Sequence, residues 1–233
     1  MPLPFFYEPA IPQTGSHFTL SEETSKHCIQ VLRMKTGAYL NLTDGKGKLY
    51  KAGIVSEDKR KTIVLIEQEE HMDQPLKKVC IAVSLLKNVH RFEWFLEKAT
   101  EIGVTEIQPL ICHHTEHERF RHDRMNGILI SAMLQSRQTW LPRLQEPVQS
   151  AEFITQARFT QKLIAHCEDG RKQLLTEVPP SDDSTILIGP EGDFSPDEIR
   201  LALDNHFMPV SLGNTRLRAE TAAIVASSLL MFR

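Results

Sequence analysis

Two stretches in the last third of the chain decide its fold: Leu187-Ile188-Gly189-Pro190-Glu191-Gly192 and Leu212-Gly213-Asn214-Thr215-Arg216-Leu217-Arg218-Ala219-Glu220-Thr221. Each begins at the end of a short apolar run that is typical of a buried strand. In parallel α/β sheets, ligands bind outside the carboxyl ends of the strands, where glycines let the backbone approach the ligand closely. The two stretches together therefore predict one ligand crevice at the edge of a parallel sheet.

The residues of these stretches exclude two common phosphate sites. The first stretch is neither a G-x-G-x-x-G fingerprint nor a G-K-[ST] loop, which disfavours dinucleotide binding and P-loop chemistry. The second stretch carries three charged side chains, Arg216, Arg218 and Glu220, that are costly to bury unless they are paired. We expect them to pair with each other, with a ligand or with a partner subunit.

Outward from these stretches, the chain alternates buried-strand runs with amphipathic helices. The predicted strands are Val79–Leu86, Glu106–Cys112, Lys162–Cys167, Thr185–Ile188 and Pro209–Leu212. The predicted helices are Arg91–Ile102, Met125–Arg137, Asp197–Asn205 and Thr221–Phe232. This alternation indicates an α/β domain in which helices cover a mostly parallel sheet.

The sequence indicates directly where one helix stops and where another begins. Gly103 follows an apolar face of helical spacing and predicts a helix stop. Ser195-Pro196-Asp197-Glu198 offers a serine N-cap, a proline at the first helical position and a glutamate at the third, which together form a capping box. The loop between Gly189 and Phe194 is therefore expected to be short and fixed at both ends.

The N-terminal part has a different pattern. Residues 18–66 contain short strand-type runs, Tyr39–Thr43, Leu49–Val55 and Thr62–Ile66, with the hairpin signal Asp44-Gly45 between the first two. Several short strands in so little sequence predict a small barrel. The polar run Glu67–Pro75 has no apolar periodicity, so we interpret it as a linker and divide the chain into domains at 1–72 and 73–233.

Composition limits the class of protein. No apolar run is long enough to span a bilayer and no secretory signal is evident, so we expect a cytoplasmic location. The four cysteines, Cys28, Cys80, Cys112 and Cys167, form no C-x-x-C pair. Their separation argues against a zinc site or a disulfide framework, and they are expected to be small buried residues.

The charge is unevenly distributed. The formal net charge is −3, yet basic residues outnumber acidic ones in residues 73–145. The cluster there comprises Arg119, Arg121 and Arg124 with His113, His114, His117 and His122. It is either a patch that faces phosphates or a solvated loop of mixed charge, and this feature alone leaves both interpretations open.

Taken jointly, the motifs resemble the RsmE family, the small-subunit ribosomal RNA uridine N3-methyltransferases of the SPOUT superfamily. The two loop stretches carry the paired signature, and similar motifs extend over most of the chain. They are Lys87 with Arg91-Phe92-Glu93, Glu97 to Val104, Gln135-Ser136-Arg137 with Pro142, and, in the N-terminal part, His27, Val31-Leu32-Arg33, Gly37 and Asp44-Gly45. Two positions depart from the family pattern, because Pro4 replaces an arginine and Asp193 replaces a third glycine.

The resemblance implies a fold and partners. The expected fold is a C-terminal SPOUT-type α/β domain with a trefoil knot, preceded by a small PUA-like RNA-binding β-barrel. It also implies a homodimer that uses S-adenosyl-L-methionine (SAM) and acts on 16S ribosomal RNA in the small ribosomal subunit. No metal is expected, because in-line transfer of a methyl group depends on aligning the reacting atoms.

The resemblance further implies roles for individual residues. The expected cofactor-binding residues are His166, Leu187, Ile188, Gly189, Glu191, Gly192, Leu212, Gly213, Leu217, Arg218 and Thr221. The candidate catalytic residues are Arg137, Arg218 and Glu220. RNA binding is assigned to Arg33, Lys87, Arg91, Arg119 and Arg121.

The chemistry of uracil limits what these residues must do. Its N3 is protonated at neutral pH, so some group must accept the proton or stabilise the resulting anion. Arg137 or Arg218 is a candidate for stabilising the anion, and Glu220 for orienting an arginine. A structural ion pair is the favoured interpretation of Glu220, and the sequence identifies no general base.

Two other functions stay open. One is a ribose 2′-O-methyltransferase of the same superfamily that acts on transfer RNA. The other is an RNA-binding or ribosome-assembly protein without catalytic activity, which would use the barrel and bind no cofactor.

Overall fold

A computed structural model describes residues 3–233, and the chain forms two units. The first unit contains the described residues up to Gln74 together with Met133–Leu141. The second contains Pro75–Ala132 and Pro142–Arg233. The first unit is therefore discontinuous in sequence.

The first unit is built on a five-stranded sheet. Its elements are β1 (Phe5–Tyr7), β2 (His17–Thr19), α1 (Glu22–Lys26), β3 (Tyr39–Thr43), β4 (Lys48–Ser56) and β5 (Ile63–His71), with a π-helical turn at His27–Val31. The sheet order is β1-β3-β4-β5-β2, and only the β1–β3 pair is parallel. Alternate apolar residues of β3, β4 and β5, including Leu40, Ile54 and Val64, fill one core. The predicted strands of this part are confirmed.

The predicted linker at Glu67–Pro75 is wrong over its first half, because β5 continues to His71. The backbone of this part pairs with β4 from Lys51↔Gln68 to Lys48↔His71, and Lys48 forms an ion pair of 2.7 Å with Glu69. Its side chains are exposed, so neither face needs apolar residues. A strand without a buried face has no apolar alternation to detect.

A tryptophan from the later segment completes the first unit. The backbone N–H of Leu141 donates to the Gly45 carbonyl, and Gly47 N–H donates to the Thr139 carbonyl. The Trp140 indole N–H donates to the Met72 and Asp73 carbonyls, at 3.2 and 2.9 Å. The ring lies so close to Gly47 that a Cβ added there would collide with Trp140 Cζ2.

The second unit is an eight-stranded sheet with helices. Its elements are β6 (Lys78–Ser84), α2 (Val89–Ile102), β7 (Glu106–Ile111), α3 (His122–Gln135), β8 (Arg143–Leu144), β9 (Val148–Gln149), α4 (Ser150–Gln156), β10 (Gln161–Ala165), β11 (Gln173–Leu174), β12 (Asp183–Ile188), α5 (Pro196–Asp204), β13 (Met208–Ser211) and α6 (Ala219–Met231). The last residues of α3 belong to the first unit. The order is β11-β13-β10-β12-β6-β7-β8, with β9 also paired to β7, and every pairing is parallel.

The parallel α/β prediction is confirmed, and the central strands explain why it succeeded. β6 and β12 are buried along nearly their whole length, because helices or loops cover both faces. The carboxyl ends of β10, β12 and β13 lie at one edge, where Ala165 pairs with both Ile188 and Val210. The short elements α4, β8, β9 and β11 have too few residues to give a periodic signal and were not predicted.

Both predicted helix ends are confirmed. Gly103 ends α2 in the left-handed conformation, with φ +94°. At α5 the Ser195 side chain accepts from the Glu198 N–H, and the Glu198 carboxylate accepts from the Ser195 N–H. Among the helices of residues 3–233, none has both the length and the apolar character needed to span a membrane.

The expectation for the cysteines is correct for three of the four. Cys28, Cys80 and Cys112 are buried, whereas Cys167 is exposed. The exposed thiol lies just beyond the carboxyl end of β10, where the chain leaves the buried sheet. All four are free thiols.

We expect Gly47→Ala to destabilise the first unit more than Gly37→Ala. Both glycines have positive φ, +89° and +87°, so each alanine is strained by about 1–2 kcal/mol. A Cβ at Gly37 meets nothing within 4 Å, whereas one at Gly47 collides with Trp140. Overpacking should add about 1–3 kcal/mol, measured by chemical denaturation. Equal losses of stability in the two variants would contradict the Trp140 contact.

Candidate functional site

A pocket of about 640 Å³ lies at the carboxyl ends of β10, β12 and β13. Both loop stretches contribute to it, as does the loop after β10. Of the predicted cofactor-binding residues, those that line it are His166, Ile188, Gly189, Glu191, Leu212, Gly213, Leu217 and Arg218. The crevice predicted from the two stretches is therefore present and has a third wall.

The remaining predicted cofactor residues lie elsewhere. Leu187 is fully buried in the core beneath the pocket, and Gly192 is packed so that an added Cβ would be 3.0 Å from His114 Cβ. Thr221 borders a separate hollow with His90, Arg91, Trp94 and Glu220. These three residues do not line the pocket, and their contact with a cofactor stays a prediction.

His166 is the clearest unsatisfied polar group in the pocket. Both of its ring nitrogens are buried and have no hydrogen-bond partner among the described residues. Burial, followed by the nearby Lys172 ammonium, lowers the pKa of His166 below its usual value. The ring is therefore neutral at physiological pH and has one donor and one acceptor available for a ligand.

The charge of the lining is mixed. Lys172, Arg216 and Arg218 contribute positive charges, and Glu191 and Asp193 contribute negative ones. Apolar walls from Ile188, Val210 and Leu217 lie between them. This combination fits a ligand with an apolar planar part and a zwitterionic part, which describes SAM.

The buried carboxylate of Glu198 anchors this edge of the sheet. Its Oε1 accepts from the Ser150 hydroxyl at 2.5 Å and the His113 N–H at 3.0 Å, while Oε2 accepts from the Ser195 N–H at 2.8 Å. Burial alone would raise the pKa of Glu198, but these hydrogen bonds outweigh it and lower the pKa. Glu198 therefore stays ionised and joins the loop after β7 to the starts of α4 and α5.

The three catalytic candidates have different surroundings. Arg218 is exposed and lines the pocket. Glu220 is 7% exposed, and its Oε1 forms an ion pair with Arg91 Nε at 3.6 Å, while an orienting role for it stays a prediction. Arg137 belongs to the first unit and has a left-handed backbone with φ +57°. Arg218 is thus the candidate that the structure places at the pocket.

The RNA-binding candidates also differ in how free their charges are. Arg119 and Arg121 border a hollow of about 230 Å³ together with Arg124 and His117. Lys87 is paired with Glu116 at 2.7 Å, and Arg91 with Glu220, so their charges are partly offset. Arg33 is exposed in the first unit, with φ +53°.

Sequence reasoning missed part of the pocket wall. Cys167 and Lys172, in the loop after β10, line the pocket but belong to neither glycine stretch. The signal was available in principle, because β10 was predicted as a parallel strand and its carboxyl end had to lie at the same edge. Asp193, which departs from the family pattern, also lines the pocket.

Comparisons with known proteins identify the family and two of its domains. A family model described as an RNA methyltransferase domain matches residues 72–231, and one described as an RNA methyltransferase PUA domain matches residues 20–67. Ribosomal RNA small subunit methyltransferase E of Mesomycoplasma hyopneumoniae is 30% identical over 89% of this chain and 90% of its own length.

Two solved structures are similar over nearly the whole chain. A Legionella pneumophila protein solved with the bound cofactor SAM has a TM-score of 0.90 and 32% identity, covering 99% of this chain and 97% of its own. Ribosomal RNA small subunit methyltransferase E of Neisseria gonorrhoeae, bound to SAM, has a TM-score of 0.87 and 28% identity, and the match covers 97% of this chain and 95% of its own. The chain therefore belongs to the ribosomal RNA small subunit methyltransferase E family and combines a PUA domain with an RNA methyltransferase domain.

Proposed function

We propose that this protein transfers the methyl group of SAM to N3 of a uridine in 16S ribosomal RNA, with the small ribosomal subunit as the context. The observation that carries the proposal is the pocket at the ends of β10, β12 and β13, in which His166 is unpaired and Arg218 stands at the wall. Family membership supplies the class of substrate, and the SAM-bound relatives supply the cofactor.

The residues that hold the cofactor are those of the three loops. Backbone groups of Ile188, Gly189, Leu212 and Leu217 would bind its adenosine part, and the neutral His166 ring would add a hydrogen bond. SAM supplies an activated methyl group, so the protein has to align that group with the nucleophile and exclude competing geometries. The apolar walls favour a ligand that is largely removed from water.

Arg218 is the proposed catalytic residue at the pocket. A uracil that has lost its N3 proton carries a negative charge, and an exposed guanidinium beside the cofactor would stabilise it. Glu220 acts through Arg91, to which it is paired, as a positioning residue. Arg137 is retained as a second candidate for the anion, and the group that accepts the N3 proton is unassigned.

We further propose the domain arrangement expected of the family. Residues 1–72 would be the PUA-like RNA-binding barrel and residues 73–233 a SPOUT domain whose last segment is threaded into a trefoil knot. The parallel sheet and the packing of α6 against β6 and β12 support the α/β fold of this domain, and the knotted path is proposed from the resemblance to the family alone. The discontinuous segment Met133–Leu141 would be an excursion of the SPOUT domain that completes the barrel.

A homodimer is proposed from the uncovered side of α6. One face of this helix is buried against α2 and the sheet, but a second stripe at helical spacing is only half-buried. That stripe comprises Thr221, Val225, Ser228 and Leu229 and leads to Phe232, which is 75% exposed. Trp94, on the neighbouring helix α2, is 43% exposed and extends the apolar surface.

We expect Phe232→Asp to weaken the dimer by about 10²- to 10⁴-fold, because each of the two protomers loses the burial of a phenylalanine side chain, which is worth about 1.5–3 kcal/mol. The dissociation constant is measured by sedimentation equilibrium. Leu203→Asp, at an apolar position on α5 that is 44% exposed, is the control and should leave the dimer intact. A monomeric parent protein, or equal effects of the two variants, would contradict the proposed interface.

Methyl transfer itself is tested on small ribosomal subunits that lack the modification. We expect incorporation of one methyl group as N3-methyluridine, identified by mass and retention after nucleoside digestion. Arg218→Ala should lower kcat by about 10²- to 10³-fold, the usual loss when an anion-stabilising group is removed. Arg200→Ala, an exposed arginine paired with Asp197, serves as the control.

The same assay separates the alternatives. Recovery of a 2′-O-methyl nucleoside would favour the ribose methyltransferase. Absence of SAM binding at millimolar concentration in calorimetry would favour a non-catalytic RNA-binding protein. An Arg218→Ala variant with unchanged kcat would remove Arg218 from the mechanism and leave Arg137 as the candidate.

RNA capture is proposed to depend on Arg119 and Arg121, with Arg33, Lys87 and Arg91 as further phosphate contacts. We expect Arg119→Ala with Arg121→Ala to weaken RNA binding and to reduce the slope of log K against log salt by roughly 1–2. The double variant Arg158→Ala with Arg200→Ala removes the same charge from exposed positions elsewhere. A salt slope that matches this control would exclude the two arginines from the interface.

A further inference from the structure

The loop after β12 contains a residue in an unusual conformation. Asp193 has φ +64°, in the left-handed region that glycine adopts most easily. Aspartate tolerates this region better than most residues, because its short side chain forms local hydrogen bonds. A strained backbone of this kind persists only where surrounding contacts hold it, so Asp193 is expected to be held by specific contacts.

Asp193 makes contacts with three parts of the chain. Its Oδ2 accepts from the Cys167 backbone N–H at 2.6 Å, and its Oδ1 accepts from the Phe194 N–H at 2.8 Å. Its own N–H donates to the Pro190 carbonyl at 3.0 Å. Its carbonyl oxygen lies 3.0 Å from His114 Nδ1. One residue therefore links the loop after β12 to the loop after β10 and to the loop after β7.

The link to Cys167 is the one that shapes the pocket. β10 and β12 are paired as far as Ala165↔Ile188, and beyond that pair the two chains leave the sheet. His166 and Cys167 then form one wall of the pocket, and Gly189 forms part of the opposite wall. A carboxylate that accepts the Cys167 N–H fixes the distance between these walls with a charge-assisted hydrogen bond.

We propose that Asp193 is a positioning residue for the cofactor: its carboxylate holds the loop after β10 against the loop after β12 and so keeps His166 in place for the adenosine part of SAM. This inference rests on the proposed function, because it takes SAM as the ligand of the pocket. Asp193 is given no part in methyl transfer. Its loss is therefore expected to weaken cofactor binding without lowering turnover at saturating cofactor.

The decisive variant is Asp193→Gly. Glycine adopts the left-handed backbone without strain, so the variant is expected to fold, and it lacks both side-chain hydrogen bonds. We expect about tenfold weaker SAM binding in calorimetry, with kcat at saturating SAM and the KM for RNA within about twofold of the parent. Asp193→Asn keeps one acceptor and should fall between the two. Asp182→Asn is the matched control, because Asp182 is an exposed aspartate just before β12, the strand that leads to the loop with Asp193.

A second readout does not depend on SAM. The Cys167 amide should exchange with deuterated solvent about tenfold faster in Asp193→Gly than in the parent, because its acceptor is gone. Parent-like SAM affinity, parent-like amide exchange, or a fall in kcat at saturating SAM with unchanged affinity would each overturn the proposal. If the parent binds no SAM, the proposed function fails, and the amide exchange still decides whether Asp193 holds the two loops together.

Discussion

The buried carboxylate of Glu198 is the constraint on which the functional edge of the sheet depends. It accepts hydrogen bonds from Ser150, Ser195 and His113, which belong to three chain segments that are distant in sequence. A hydrogen bond to a charged group is worth about 1.5–3 kcal/mol, and a buried charge without such partners would be strongly unfavourable. The loop between Gly189 and Phe194 is consequently fixed at its end, and the loop after β7 is held beside it. The walls of the pocket are rigid because the hydrogen bonds to Glu198 leave the ends of these loops few other conformations.

Much of the fold follows from the sequence because the physics at those positions is local. Buried parallel strands such as β6 and β12 need apolar residues on both faces, and the Ser195 to Glu198 box specifies a helix start within four residues. The second half of β5 could not be found this way, because its pairing with β4 leaves only exposed polar side chains. The packing of Trp140 on Gly47 joins residues far apart in sequence, and no local pattern encodes such a contact.

The same distinction between local sequence signals and contacts distant in sequence applies to the candidate site. The two glycine stretches indicated a crevice, since strand ends and glycines are visible in one dimension. The pairing of Glu220 with Arg91 and the contact of Asp193 with Cys167 depend on which strands become neighbours. Lys172 could have been suspected from its place after a parallel strand, but its presence at the pocket depends on the path of a loop. The sequence therefore predicts where the pocket lies, whereas the pairing of the charged residues around it can be known only from the fold.

The discontinuity of the first unit affects how this protein is made. A ribosome synthesises roughly 5–20 residues per second, so Gln74 is complete several seconds before Trp140 is added. Until then, Gly47 is uncovered and the carbonyls of Met72 and Asp73 lack the indole donor that they have in the finished molecule. The first unit thus reaches its final packing only after more than half of the chain has been translated. An N-terminal fragment that ends at Gln74 would lack Trp140, so the space beside Gly47 that the indole ring fills in the whole chain would stay unfilled.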